Sequence, residues 1–263
     1  AGKTTLLDKI LVHTGAANGH PSVDAGTSIC DFDAEEKHHK YTIEAKIVHF
    51  QHAGKRFHAI DTPGYPDFIG QTIGARRGVD TAVVVLSAQS GIEVNTRRVF
   101  DEAGKAGLGR MIVLNKLDDD NIDFPGLVDA IREMWGNRCV LLNVPLGQGS
   151  GFRGVASTLT VPGDTDGALV DPNEIHDPLI ESIIEVDEEV MMKYLEGEPP
   201  TAEELSRLIV RAVRAGTLIP IVCCSAKTGV GLSELLDAIV LCGLSPVDLP
   251  RKATKDGEEV TIE

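Results

Sequence analysis

Arg110-Met111-Ile112-Val113-Leu114-Asn115-Lys116-Leu117-Asp118 decides the fold. The run Met111 to Leu114 has the length of a strand rather than a helix, and its unbroken apolar character suits a strand buried on both faces in a parallel sheet. Asn115, Lys116 and Asp118 follow at once, at the carboxyl end of that strand, where open α/β sheets bind ligands. A carboxylate at Asp118 is an acceptor that can face two donors side by side. Guanine presents such a pair, N1–H and the 2-amino group, on one edge; adenine does not. The Lys116 stem can lie along the base.

Three further strings fit around this one. Leu218 to Cys224 reads as a second buried strand, and it delivers Ser225-Ala226-Lys227, whose backbone N–H could meet the guanine O6, so the base is read from two loops. Ala1-Gly2-Lys3-Thr4-Thr5 is the end of a phosphate-binding loop, G-x-x-x-x-G-K-[ST]. In such a loop, amides at a helix N-terminus cradle phosphates, the lysine reaches the β and γ oxygens and the Thr4 hydroxyl faces Mg²⁺. Asp61-Thr62-Pro63-Gly64-Tyr65-Pro66-Asp67-Phe68 follows an apolar run through Phe57, Ala59 and Ile60. It places a carboxylate at a strand end, able to hold the metal through water, and then a glycine with no Cβ to block a γ-phosphate. Any one string alone is weak: a Gly-Lys-Thr can open an ordinary helix, and Asp-Thr-Pro-Gly can be a plain turn. Their order and their positions beside strands and helices make the combination specific for GTP or GDP with Mg²⁺.

The arrangement resembles the G domain of translational GTPases, and among them elongation factor G, from Ala1 to about Pro250. Gly26-Thr27-Ser28-Ile29-Cys30-Asp31-Phe32, with Glu35-Glu36, is similar to that family's lead-in to switch I, and Tyr41-Thr42-Ile43 stands where the family has Gly-Ile-Thr-Ile. The resemblance therefore implies that Thr42 completes Mg²⁺ coordination beside Thr4 and Asp61. Asn143-Val144-Pro145-Leu146-Gly147 with Gly151-Phe152-Arg153-Gly154-Val155 is similar to the start of the subdomain that elongation factor G inserts in its G domain. Spacing points the same way, since the 106 residues 119–224 far exceed what one helix and one strand require. Expected boundaries are a first G-domain part over 1–142, an inserted α/β subdomain over 143–205, a second part over 206–248, and a linker into a further domain over 249–263.

Two departures from the family pattern stand out. Tyr65 occupies the place of the histidine credited with positioning the attacking water. A phenol, with an ordinary pKa of about 10, stays neutral at pH 7 and cannot handle protons as an imidazole does. His38-His39-Lys40-Tyr41 replaces the usual Arg-Gly-Ile, setting bulk where the family has a glycine hinge. Together they resemble the divergent second type, elongation factor G-2, and imply hydrolysis that is slower or differently triggered.

Composition narrows the function classes. No run of 18 apolar residues could span a membrane. A net charge of −15 argues against direct, sequence-specific or general binding of nucleic acid, so a ribosome would be met through local patches or other domains. Five cysteines without a C-x-x-C read as reduced thiols of a cytoplasmic protein, expected as a monomer. Acidic residues crowd positions 181–204, read as a solvated helical face or, more sharply, as a dock for a basic partner. Gly149-Ser150-Gly151-Phe152-Arg153-Gly154 matches G-x-G-x-x-G, but the β-branched run Val155 to Val161 follows instead of a helix, so it reads as a glycine-rich hairpin and not a dinucleotide site.

The pattern predicts a P-loop α/β fold, a mostly parallel sheet with helices on both faces. Helices are expected at about 4–14, 66–77, 93–106, 123–135, 174–195, 201–215 and 231–241. An antiparallel pair is expected at 42–51 and 55–61, with further strands at 81–87, 110–115, 139–143 and 219–224. The strand and glycine that precede such a phosphate loop are not in the sequence, and a gap in the sheet is expected there. Function is expected to be GTP hydrolysis with Lys3, Gly64 and Tyr65 at the γ-phosphate, in a translocation factor acting on the ribosome. The alternatives are a nucleotide-gated docking module without turnover, a ribosome-protection or release factor, and an ATP-dependent enzyme, which Asp118 disfavours.

Overall fold

The computed structural model describes residues 1–160, 165–249, 251–255 and 257–262. Val161 of the expected β-branched run, and Pro250 and Glu263 of the expected linker, lie outside the described residues.

The centre is a parallel sheet in the order β3 (Thr81–Ser87), β4 (Gly109–Asn115), β8 (Ile219–Cys223) and β5 (Cys139–Leu141). Met111 to Leu114 and every residue of β8 are buried, as strands covered on both faces must be. Helices α4 (Val94–Lys105), α5 (Phe124–Trp135), α6 (Pro172–Ile184), α8 (Ala202–Ala215) and α9 (Leu232–Cys242) pack against it. Phe100 of α4 stacks on Trp135 of α5 with centroids 4.1 Å apart, and the Arg110 guanidinium lies over the Phe100 ring, 4.7 Å from its centroid. Helix starts are set locally: Asp123 accepts the Gly126 amide, and Thr201 with Glu204 forms a reciprocal capping box.

A separate antiparallel hairpin, β1 (Lys46–His52) and β2 (Lys55–Asp61), turns at Ala53-Gly54, both at positive φ, as its sequence predicts. Its inner face stacks Phe50 on Phe57 at 5.1 Å. A cleft of about 760 Å³, walled by Leu6, Ile10, Phe57, Ala59, Val83 and Val85, lies between this hairpin and β3. Helix α1 (Lys3–His13) closes one side with Leu6, Leu7 and Ile10.

Several elements differ from expectation for physical reasons. β1 begins at Lys46 rather than at 42, because the amides of Ile43 and Glu44 are occupied by the Glu36 carboxylate and cannot join a ladder. The expected helix 66–77 is the shorter α3 (Ile69–Ala75) between single 3-10 turns, a segment weakened by Pro66, Gly70, Gly74 and Gly78. The helix expected over 174–195 breaks into α6 and α7 (Glu188–Leu195), since Asp187 caps the second helix through the Val190 amide while holding Arg211 at 2.9 Å. The strand expected over 139–143 ends at Leu141. Asn143 then opens β6 (Asn143–Leu146), which pairs antiparallel with β7 (Gly154–Ser157), the glycine-rich hairpin the sequence indicates. A short helix in the lead-in to switch I, α2 (Ala34–His39), was not expected. The stretch read as a linker carries the hairpin β9 (Arg251–Lys255) and β10 (Glu258–Ile262), tied back by Arg251 to the Val79 carbonyl and to Asp80.

Candidate functional site

All four strings meet at one edge of the molecule. Gly2 sits at φ 82°, a left-handed conformation that favours glycine, and an added Cβ would stand 3.0 Å from Asn115 Nδ2. α1 starts immediately after it with no side-chain cap, so its first amides remain available to an anion. Lys3 Nζ lies where a Cβ on Gly64 would reach within 2.9 Å, which brings the phosphate loop and the Asp-Thr-Pro-Gly loop together. Thr5 continues the first turn of α1. The Gly64 carbonyl is held at 3.1 Å by Asn95 Nδ2, reaching across from the first turn of α4.

Beneath the loop, Thr4 Oγ1 donates to Asp61 Oδ2 at 2.7 Å, and Thr42 Oγ1 donates to Asp31 Oδ1 at 3.0 Å. The two hydroxyl oxygens face one another at 2.9 Å. Either hydroxyl can donate to the other, so the two threonines and the two carboxylates form one hydrogen-bonded cluster of oxygens. Burial pushes the Asp61 carboxyl up to about 6, against the pull of the Thr4 hydroxyl and the Lys3 ammonium, and burial likewise raises Asp31, against the Thr42 hydroxyl bond. Asp31 Oδ2 is buried without a hydrogen-bond partner. Among the described residues no three His, Cys, Asp or Glu side chains converge as metal ligands. The oxygen set here is instead two hydroxyls, each bonded to a carboxylate, Asp61 and Asp31, which fits Mg²⁺, a hard cation that keeps several waters.

At the other end, the loops after β4 and β8 are bonded to each other. Asn115, almost fully buried, donates from Nδ2 to the Ala1 carbonyl at 3.0 Å and accepts the Ala226 amide on Oδ1 at 2.8 Å. One side chain thus ties the Ala1-Gly2 segment to the loops after β4 and β8. Asp118 Oδ1 accepts the Ser225 hydroxyl at 2.5 Å, while Oδ2 is buried without a hydrogen-bond partner and has the exposed Lys227 ammonium 3.5 Å away. Lys116 adopts φ 67°, unusual for a residue with a Cβ, at the turn leaving β4. A buried carboxylate oxygen that lacks a hydrogen bond is where a ligand donor fits.

The stretch after Thr42 is held by a residue whose part the sequence did not disclose. Glu36 is fully buried, and its Oε1 accepts the amides of Ile43 at 2.9 Å and Glu44 at 3.1 Å and the Lys46 ammonium at 3.0 Å. Burial pushes its carboxyl up, but those three donors outweigh it and hold the carboxyl below the usual range. The clamp fixes the two residues after Thr42. Asp31 and Asn95 were also without an assigned part; for Asn95 nothing in the local sequence signals it. Asp8 is a fourth, and its signal was present: a carboxylate inside the apolar stripe of α1, buried and accepting the Ile29 amide at 3.0 Å. Tyr65 is about half exposed (53%), its ring against Tyr41 with centroids 4.6 Å apart.

All five cysteines are buried and free, and burial raises the thiols of Cys139 to about 11 and of Cys224 and Cys242 to about 12, which leaves them protonated and unreactive. Within the acidic stretch, Asp187 and Glu204 serve as helix caps, while Glu181, Glu185, Glu188, Glu189, Glu196, Glu198 and Glu203 are exposed.

The family described as "Elongation factor Tu GTP binding domain" matches residues 1–243. Elongation factor G of Fervidobacterium nodosum is 33% identical over an alignment that covers 100% of this chain and 40% of the relative. A crystal structure from Thermus thermophilus superposes with a TM-score of 0.85 at 32% identity, over 94% of this chain and 39% of that one. The chain thus spans well under half the length of the relatives it matches. No helix among the described residues is long and apolar enough to cross a membrane. The chain belongs to the elongation factor Tu GTP-binding domain family, as a translational GTPase G domain similar to that of elongation factor G.

Proposed function

We propose that this chain binds Mg²⁺-GTP and hydrolyses it as the nucleotide-switch domain of a translocation-type factor on the ribosome, of the divergent elongation factor G-2 kind. The observation that carries the reading is the bonded convergence of Ala1, Asn115, Asp118, Ser225 and Ala226 at the carboxyl ends of β4 and β8, beside the amino end of α1. In this reading, Asp118 selects guanine by accepting from its paired donors, and the Ala226 amide and the Ser225-Ala226-Lys227 loop meet O6. Lys116 flanks the base. Gly2, Lys3, Thr4 and Thr5, with Ala1, hold the phosphates at the open helix end. Thr4 and Thr42 would hold Mg²⁺, with Asp61 accepting from a metal-bound water. The ion, when bound, neutralises charge on the β- and γ-phosphates.

What the chain itself supplies is placement. Gly64 leaves room at the γ-phosphate, and its carbonyl, fixed by Asn95, makes the loop a sensor of that phosphate. Tyr65 lies next in line, able to orient a water through its hydroxyl without acting as a base. Loss of the γ-phosphate removes what draws Thr42 toward Thr4 and frees switch I, changing affinity for the ribosome. Residues 143–205 are proposed as the inserted subdomain: β6 pairs with β7 outside the parallel sheet, and α6 and α7 follow before the chain returns through α8 to β8. Its exposed carboxylates suit a basic partner. A cytoplasmic monomer is the setting this function requires.

The test is GTP turnover by the protein with and without ribosomes, beside Tyr65→His. Ribosome-stimulated turnover by the unmodified protein supports the reading. Tight GTP binding with no turnover, restored by Tyr65→His, would replace it with a nucleotide-gated docking module.

A further inference from the structure

The two stretches that depart from the family pattern are far apart in sequence yet touch in space. Tyr41 packs against Tyr65 with centroids 4.6 Å apart and the rings tilted by 52°. On its other sides Tyr41 stacks on His39 at 5.4 Å and 26°, and meets Phe68 at 6.2 Å. His38 closes the row edge-on to His39 at 5.0 Å. Offset and tilted ring pairs at these spacings are attractive beyond the area they bury. Switch I supplies three of the rings, and the Asp-Thr-Pro-Gly loop with its 3-10 turn supplies Tyr65 and Phe68.

The Tyr65 hydroxyl makes no hydrogen bond among the described residues, and half of the side chain's surface is open to solvent, so ring packing is what sets its direction. Tyr41, in turn, stands one residue before Thr42, whose hydroxyl lies 2.9 Å from that of Thr4, and two residues before the Glu36 clamp. A displacement of switch I at Thr42 therefore moves the ring on which Tyr65 rests.

We propose that Tyr41 is a positioning residue for Tyr65, and that the His39–Tyr41–Tyr65–Phe68 row is an aromatic clasp through which the order of switch I sets the direction of the Tyr65 hydroxyl. This rests on the proposed function above, in which Tyr65 stands nearest the attacking water. It gives the two departures a common meaning: a phenol that cannot act as a base needs to be held in place, and the bulk at position 41 holds it. The clasp forms only while switch I is closed, so release of Thr42 also releases Tyr65.

Two measurements test it, the first made with a non-hydrolysable GTP analogue and Mg²⁺ present and independent of turnover. With 4-fluorophenylalanine incorporated at position 65, the fluorine resonance moves toward the solvent-exposed value on Tyr41→Ala and stays in place on Tyr41→Phe, which keeps the ring. An unmoved resonance in Tyr41→Ala overturns the clasp. Single-turnover GTP hydrolysis on the ribosome is then compared across a double-mutant cycle. Tyr41→Ala slows the step by about 2- to 12-fold, the worth of one ring pair, with GTP affinity unchanged. In a Tyr65→Ala background the same substitution has no further effect. Equal slowing in both backgrounds, or Tyr41→Phe as harmful as Tyr41→Ala, overturns the positioning role. Absence of GTP turnover by the unmodified protein defeats the proposed function instead, and the resonance alone then decides the clasp.

Discussion

Glu36→Ala should open switch I without unfolding the domain, and the structure sets the size of the effect. Two backbone amides and one ammonium converge on a single buried carboxylate oxygen. Hydrogen bonds to a charged acceptor contribute about 1.5–3 kcal/mol each, so losing the two amide bonds alone would cost about 3–6 kcal/mol. Two features reduce this. The Glu44 backbone lies on an exposed residue and Ile43 is only part-buried, so water can replace some of the loss. Lys46 Nζ keeps Phe32 beneath it at 4.7 Å and has Glu44 within 3.7 Å, so the ammonium is not left unpaired. A net cost of about 2–4 kcal/mol remains, confined to the segment the clamp closes. Hydrogen exchange at the Ile43 and Glu44 amides should accelerate by about 30- to 900-fold, while the amides of β4 and β8 keep their protection. Because the Glu36 carboxyl is held below its ordinary value of 4.5, the clamp's contribution is complete above that value and is lost as pH falls through the lowered one. Protection in the unmodified protein should therefore be level from pH 7 down to pH 5. Exchange within about threefold of the unmodified protein would refute the clamp, because two orphaned amides cannot cost so little.

Two other predictions concern the ends of the site. Asp118→Asn turns an acceptor into a partial donor opposite guanine's two donors; GTP affinity should fall about 100-fold or more while xanthine nucleotides gain, measured by competition against a fluorescent nucleotide. Unchanged GTP affinity would remove Asp118 from the base-reading role. At the metal end, burial raises the Asp61 carboxyl from 3.8 to about 6, so its ionised form costs about 3 kcal/mol of stability above pH 6 in nucleotide-free protein, and that cost is relieved as pH falls through 6. Asp61→Asn should accordingly be the more stable protein in urea at pH 7.5, with the gap narrowing toward pH 5; a gap that widens on acidification would contradict the assignment.

Legibility in the sequence followed the range of the interactions. β4 and β8 were readable because a fully buried parallel strand is a short apolar run, and the loops after them were readable because polar residues end each run abruptly. The β1–β2 hairpin was marked by Ala53-Gly54, and the glycine-rich hairpin by the β-branched run after Gly154. Where a side chain competes with backbone pairing, local pattern misled: Glu36 removes Ile43 and Glu44 from the strand, and Asp187 divides what periodicity joined into one helix. Thr4 and Asp61 were expected at the metal from their motifs and Thr42 through resemblance, and the hydroxyl pairing with Asp31 was not. Tyr41 and Tyr65 were each noticed as departures, but their contact depends on where two loops lie in three dimensions, which neither stretch encodes alone. Asn95 is the clearest case, an ordinary helix residue made relevant by what stands opposite it.

The most direct test of the account is a titration of the protein with GDP, GTP and ATP, each with and without Mg²⁺. The account predicts that guanine nucleotides bind at least a hundredfold more tightly than ATP, through the two charge-assisted bonds that Asp118 offers only to guanine, and that Mg²⁺ strengthens GTP binding. ATP binding as tightly as GTP, or guanine binding indifferent to Asp118→Asn, would contradict it.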